Sequence, residues 1–258
     1  LAKNQEKYHK TKSNLEALKN ITERYEGYGN SIKKVMELKD TRKGIIGVVA
    51  AMTMPSLVTH YKEKQTVTAL KKFYSILEQA IRLNQIDNPE DYSGENIVSM
   101  FKTVKLCQPG DKSCAVMQYK QLNGAMENAF GKSDSFFDST YYAQLIDGSI
   151  IRYASGNSCN NVRGTTEALK NVCGEFSIDI NGNKLPNQVG RDVFFFNITK
   201  YGVVPFGTKE EKRYSFSENC KDKSSGDGKS CAAWVLINEN MDYLHCNDLD
   251  WSRKTKCK

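Results

Sequence analysis

The chain is 258 residues long, with 37 Lys/Arg against 30 Asp/Glu for a formal net charge of +7, 39% hydrophobic residues and eight cysteines. That length carries one large domain or two small ones with enough apolar residues for a core, which excludes bulk disorder and collagen-like repeats. The charge is uneven: residues 1–43 hold eleven bases against six acids, a net of +5, and the rest of the chain only +2. Cysteine is uneven in the opposite sense, all eight lying between positions 107 and 257. The net charge is therefore no guide to a nucleic-acid partner for the cysteine-bearing part.

Residues 1–43 are polar and helix-favouring, with Tyr8, Leu15, Leu18 and Tyr25 spaced seven, three and seven. That is the seam spacing of a coiled-coil strand, and equally that of a solvated amphipathic helix. Gly27 and Gly29 should end this helix before a second short one containing Ile32, Val35, Met36 and Leu38. The uncharged run over residues 44–58 is too short for a transmembrane helix and reads as a buried core segment. Beyond it, Leu57, Tyr61, Leu70, Phe73, Tyr74, Leu77 and Ile81 share one helix face, which predicts a helix to about residue 84.

After residue 84 the spacing of Ile97, Val98, Phe101 and Val104 predicts a helix over 95–104. From Tyr141 the period is nearer two, and three hairpins are expected. The first joins 141–146 to 149–153 through a two-residue primed turn at Asp147-Gly148, and the second joins 176–180 to 183–185 through Asn181-Gly182. The third joins 192–199 to 203–206 through Lys200-Tyr201-Gly202. Helix followed by antiparallel strands is an α+β order.

The cysteines number an even eight, and successive ones enclose short loops: Cys107 with Cys114, Cys159 with Cys173, Cys220 with Cys231, and Cys246 with Cys257. Proximity favours that pairing among the many an even set allows. No C-x-x-C occurs and His9, His60 and His245 are scattered, so disulfides are expected over zinc, and with them an oxidising compartment. Asp179, Asn181 and Asp192 form an oxygen-rich stretch, but Gly182 arrives two positions early for an EF-hand, so a tight turn is the first reading and calcium the second. Gly226-Asp227-Gly228-Lys229-Ser230 has the tail of a phosphate loop without its first glycine, since position 223 is lysine. No G-x-S-x-G occurs, and no enzyme is expected. Trp234, Trp251, Tyr243 and Leu244 are expected in the core and sheet.

Two resemblances divide the chain. Leu-Lys-Asn-Ile-Thr-Glu-Arg-Tyr-Glu-Gly-Tyr-Gly-Asn-Ser-Ile-Lys-Lys-Val-Met (18–36) with Lys-Gly-Ile-Ile-Gly-Val-Val-Ala (43–50) resembles SMC proteins of chromosome condensation where the coiled coil reaches the hinge. Gly-Ile-Ile-Gly-Val-Val-Ala-Ala-Met-Thr-Met-Pro-Ser-Leu-Val (44–58) and Thr-Ala-Leu-Lys-Lys-Phe-Tyr-Ser-Ile-Leu-Glu-Gln-Ala-Ile (68–81) resemble the amino-terminal helix of type IV pilin-like proteins and type II secretion pseudopilins. The strings at 176–194 and 231–244 resemble the head of a cysteine-containing pilin-like subfamily.

The pilin resemblance implies an α+β fold, a long helix packed on an antiparallel sheet, with residues 44–84 as helix and 85–258 as disulfide-containing head. Residues 1–43 form the SMC-like segment. The implied function is a non-enzymatic filament subunit of a type IV pilus or type II secretion system. It would assemble through Ile45, Ile46, Val48, Val49, Met52, Pro55, Leu57, Leu70, Leu77 and Ile81, with a kink at Pro55. Its partners would be other pilin-like subunits, the assembly machinery and the inner membrane, with an extracytoplasmic head, no nucleic acid on that head and no cofactor beyond the calcium option.

The family's leader, with its processing and methylation site, should precede Gly44, and residues 35–43 do not supply it. The two resemblances overlap at residues 44–50, which points to a chimera. The alternatives are an SMC chromosome-partition fragment, which would be cytoplasmic, and a secreted calcium-binding module.

Overall fold

The apolar spacing of residues 67–81 sets the architecture. Val67, Leu70, Phe73, Leu77, Ala80 and Ile81 recur every three or four positions, and all six are buried. They lie on helix α1 (Lys43–Asp87), which continues through Pro55 without ending there. The computed structural model describes residues 43–114, 118–128, 140–156, 158–221 and 226–257. The coiled-coil and SMC-like readings of residues 1–42 lie outside the described residues. The chain divides into two units, residues 1–60 and 61–258. In the first, residues 43–60 are helical. Among the described residues, no helix is long and apolar enough to cross a membrane.

In the second unit, α1 ends at Asp87, and Asn84 organises the turn into the next helix. Its amide donates to the Asp91 carbonyl at 3.0 Å, and its oxygen accepts from Asn96 Nδ2. Ser93 caps the short helix α2 (Gly94–Ser99) by accepting from the Asn96 amide at 3.3 Å. The helix expected over 95–104 stops at Ser99. Residues beyond it form strand β1 (Thr103–Cys107), paired antiparallel with β4 (Thr140–Leu145). Ile97, Val98 and Phe101 are buried, whereas Val104 is exposed on that strand. Helical spacing grouped the four, and sheet pairing separated them.

Strands β4, β5 (Ile150–Ser155), β6 (Val172–Asp179), β7 (Val193–Thr199) and β8 (Gly202–Pro205) complete a six-stranded antiparallel sheet in the order β1-β4-β5-β6-β7-β8. Strands β2 (Gln118–Lys120) and β3 (Met126–Asn128) form a separate hairpin. A four-residue helix, α3 (Glu167–Lys170), precedes β6. The protein is thus α+β. Phe73 of α1 meets Phe176 at 5.8 Å and Phe196 at 6.1 Å between ring centroids, so this part of α1 packs on the β6–β7 face.

The first hairpin forms where expected, with a different turn. The Gly148 amide donates to the Leu145 carbonyl at 3.0 Å, and among residues 145–148 only Gly148 has positive φ, at 88°. That is a type I turn followed by a left-handed glycine, which suits the strand twist as a primed turn does. The Asp147 carboxylate holds the far side by accepting from the Ser149 amide and hydroxyl. Gly148→Ala should therefore cost ~1 kcal/mol and Gly148→Asn less, because Asn tolerates the left-handed region better. Urea midpoints of the two variants test the order, and equal costs would contradict the turn.

The second expected hairpin does not form. Residues 183–185 are not a strand, and β6 pairs with β7 instead. Asp192 is the local reason. Its carboxylate accepts from the amides of Asn187 and Gln188 and from Asn181 Nδ2, which folds residues 181–191 into a loop containing a cis Leu185-Pro186 bond. The third hairpin forms as β7 and β8. Thr199 Oγ1 closes its turn by accepting from the Tyr201 amide and donating to the Gly202 carbonyl.

The end of the chain packs beside the sheet as helix rather than strand. Trp234, fully buried, lies on α4 (Ala232–Asn238) and stacks on Phe216 at 4.2 Å, with Trp251 5.0 Å away. Tyr243 and Leu244 lie in a 3-10 turn, and the Tyr243 hydroxyl donates to the Gly190 carbonyl at 2.6 Å. These residues are core, as expected, but none is in the sheet.

Candidate functional site

Strand alternation sends every second side chain of β4–β7 to the face opposite α1. Three cross-strand rows result. Tyr142, Arg152, Ser177 and Phe195 are in register, as are Ala154, Glu175 and Asn197, and Ile150, Asp179 and Val193. These rows floor a cavity of about 500 Å³. Its walls are Tyr119 from β2, Val189 of the 181–191 loop, the segment around Phe206, Arg213 and Tyr214, and Asn161, Arg163 and Lys229.

Buried hydrogen bonds hold the wall to the floor. Glu211 is 4% exposed, and its carboxylate accepts from the Gly207 amide at 2.9 Å and Asn197 Nδ2 at 3.2 Å, tying residues 207–211 to β7. Phe206 packs between Phe195 (5.8 Å) and Tyr214 (4.6 Å). A Cβ on Gly207, whose φ is 90°, would lie 1.9 Å from the Ser230 carbonyl oxygen, so only glycine fits this approach. The Arg163 carbonyl accepts from the amides of Lys212 and Arg213, bringing both guanidinium groups to the Tyr214 ring, at 6.0 and 5.5 Å.

Four basic side chains, Arg152, Arg163, Arg213 and Lys229, line the cavity against two acids, Glu175 and Asp179. Glu175 is engaged by Arg163 Nη2 at 2.5 Å. Arg163 Nε and Nη1 are buried with no hydrogen-bond partner among the described residues. Burial, then the neighbouring Asp192 charge, pushes Asp179 up to about 8, so near neutral pH its neutral acid form predominates. Burial also raises the hydroxyls of Tyr119 and Tyr142, keeping both protonated. The lining is therefore net positive and rich in donors.

The expected site residues fall elsewhere. The cysteines form four disulfides, Cys107–Cys114, Cys159–Cys173, Cys220–Cys231 and Cys246–Cys257, with no free thiol. Of the helix residues assigned to a filament interface, Leu70, Leu77 and Ile81 are fully buried in their own core. Within this chain these three side chains pack against its own sheet and helices. Ile45, Ile46, Val48, Val49, Met52, Pro55 and Leu57 lie on the helical part of the first unit. The calcium candidates are structural in this loop: Asp192 accepts from backbone amides and Asn181, and Asp179 Oδ1 accepts from the Asn181 amide at 3.2 Å.

Lys229 of the phosphate-loop-like string lines the cavity, although its string runs into a 3-10 turn, Lys229–Cys231, beside the Cys220–Cys231 disulfide. Arg152, Arg163 and Glu175 do not stand out in the sequence. For Arg152 and Glu175 the signal is a charge at an alternate position of an apolar strand, Arg152 within Ile-Ile-Arg-Tyr and Glu175 within Cys-Gly-Glu-Phe, whereas Arg163 lies outside the strands. The lining offers hydrogen bonds, charge and ring faces. No family model, curated protein or solved structure matches this chain.

Proposed function

We propose that the chain is a non-enzymatic, pilin-like filament subunit whose helix α1 mediates assembly and whose disulfide-held head is displayed outside the cytoplasm. One observation carries this reading. The 45-residue α1 buries its later stripe, Val67 to Ile81, in the head, while its uncharged stretch over residues 44–58 belongs to a separate unit. A subunit built this way keeps one half of a helix for its own core and the other for its neighbours. The four disulfides support an oxidising compartment. Pilus or secretion machinery and an inner-membrane stage belong to the same reading.

Sedimentation velocity and negative-stain electron microscopy of the purified full chain, with and without detergent, test the proposal. Concentration-dependent oligomers or filaments are expected, and Val48→Asp should abolish them while leaving the melting of the head unchanged. A monomer at every concentration, or assembly indifferent to Val48→Asp, counts against it.

A further inference from the structure

The cavity on the outer sheet face has the features of a ligand site that the filament reading does not use. Its volume of about 500 Å³ lies within the range of small-molecule pockets, roughly 300–1,000 Å³. A face that only needed covering would be filled with apolar side chains. Here Arg152, 9% exposed, lies in register beside Tyr142 in the middle of the sheet. Burying a guanidinium costs free energy unless its donors are met, and Arg163 keeps two buried nitrogens unmet among the described residues while the third is spent on Glu175. Arg213, exposed beside the same Tyr214 ring, adds a second fork at that end.

We propose that this cavity binds a sugar-sized organic anion, its carboxylate or phosphate held by Arg163 and Arg213 and its hydroxylated body resting against the partly buried Tyr119. Guanidinium forks match the paired oxygens of either group, and tyrosine offers a ring face with a donor hydroxyl. A small re-orientation of the Arg163 guanidinium towards the cavity would let a bound anion satisfy the nitrogens that have no partner here. The cavity lies wholly within residues 61–258, so the inference stands whether or not the chain assembles into filaments.

Isothermal titration calorimetry of the oxidised full chain with glucuronate, glucose 6-phosphate and neutral glucose tests it. Saturable binding of at least one anion, weakened by added salt and absent for glucose, is expected, and the tighter anion identifies carboxylate or phosphate as the group recognised. Arg213→Ala, at an exposed position, and the charge-balanced pair Arg163→Gln with Glu175→Gln should each weaken binding by roughly tenfold or more. A thermal melt of each variant separates lost binding from lost fold. Absence of binding by both anions, glucose binding as tightly as they do, or unchanged affinity in folded Arg213→Ala and paired variants overturns the proposal.

Discussion

Reduction of the four disulfides is expected to unfold the head near about 37 °C. The bridges close loops with sequence separations of 7, 14, 11 and 11, and no loop overlaps another. On the chain-entropy account each then contributes about 2.5–3 kcal/mol, and the set roughly 11 kcal/mol. The net stability of a domain is only about 5–15 kcal/mol, so losing the set removes most of it. Cys246 and Cys257 are partly exposed, whereas Cys220 and Cys231 are fully buried. The carboxyl-terminal bridge should therefore open first, with little loss of structure. The Cys220–Cys231 bridge should yield only as the head unfolds, because it ties the turn at Ser217–Lys221 to the start of α4. Alkylation with intact-mass analysis, read beside near-ultraviolet circular dichroism during stepwise reduction, gives the order. A fully reduced chain with native dichroism would show that the core suffices alone.

With the disulfides intact, the head should melt lower at pH 8.5 than at pH 5. Burial raises three carboxyls: Asp179 to about 8, Glu211 to about 7, and Asp192 in the same direction. Each keeps its proton in the folded state at pH values where the unfolded chain has released it. Unfolding is therefore increasingly favoured as pH rises from about 4 towards 8, and the stability present below that window is lost through it. Desolvation is the first cause for all three, and Asp192's charge adds to it at Asp179. The loss is on the order of several kcal/mol, or about 10 °C for a unit of this size. Asp179→Asn keeps an oxygen to accept from the Asn181 amide and removes the titration, so its melting temperature should depend less on pH and exceed the parent's at pH 8.5. A melting temperature that rises with pH in the parent sinks this account.

The elements legible in the sequence are those whose causes are local. The apolar period of residues 67–81 predicts a helix because any partner must meet the same stripe. The β4–β5 and β7–β8 hairpins were legible because each turn lies between two strands that touch. The failures share one cause. Residues 95–104 have a helical period, yet β1 took the last of them as a partner for β4. The Asn181-Gly182 turn has hairpin chemistry, yet β6 found a longer partner in β7, and Asp192 bound the Asn187 and Gln188 amides, which folds the residues after Gly182 into a loop. Neither competing interaction lies within the segment it overruled.

The candidate site was less legible than the fold. Arg152 stands on β5 and Glu175 and Asp179 on β6, and only the register of the two strands puts them over one floor. Arg163 and Arg213 reach the same ring through backbone hydrogen bonds between residues about fifty apart. Leu70, Leu77 and Ile81 are apolar whether they face a neighbouring copy or their own sheet, so their role depended on the packing of Phe73 against Phe176 and Phe196.

The uneven placement of charge and cysteine, the helix, the α+β order and the short loops that the disulfides close were determined by the sequence alone. Each depends on composition or on residues close together along the chain. Strand partners, the burial that raises Asp179 and the net-positive cavity on the outer sheet face were decided only by the tertiary structure. Each depends on which distant residues displace water from one another, and that is fixed by register and packing.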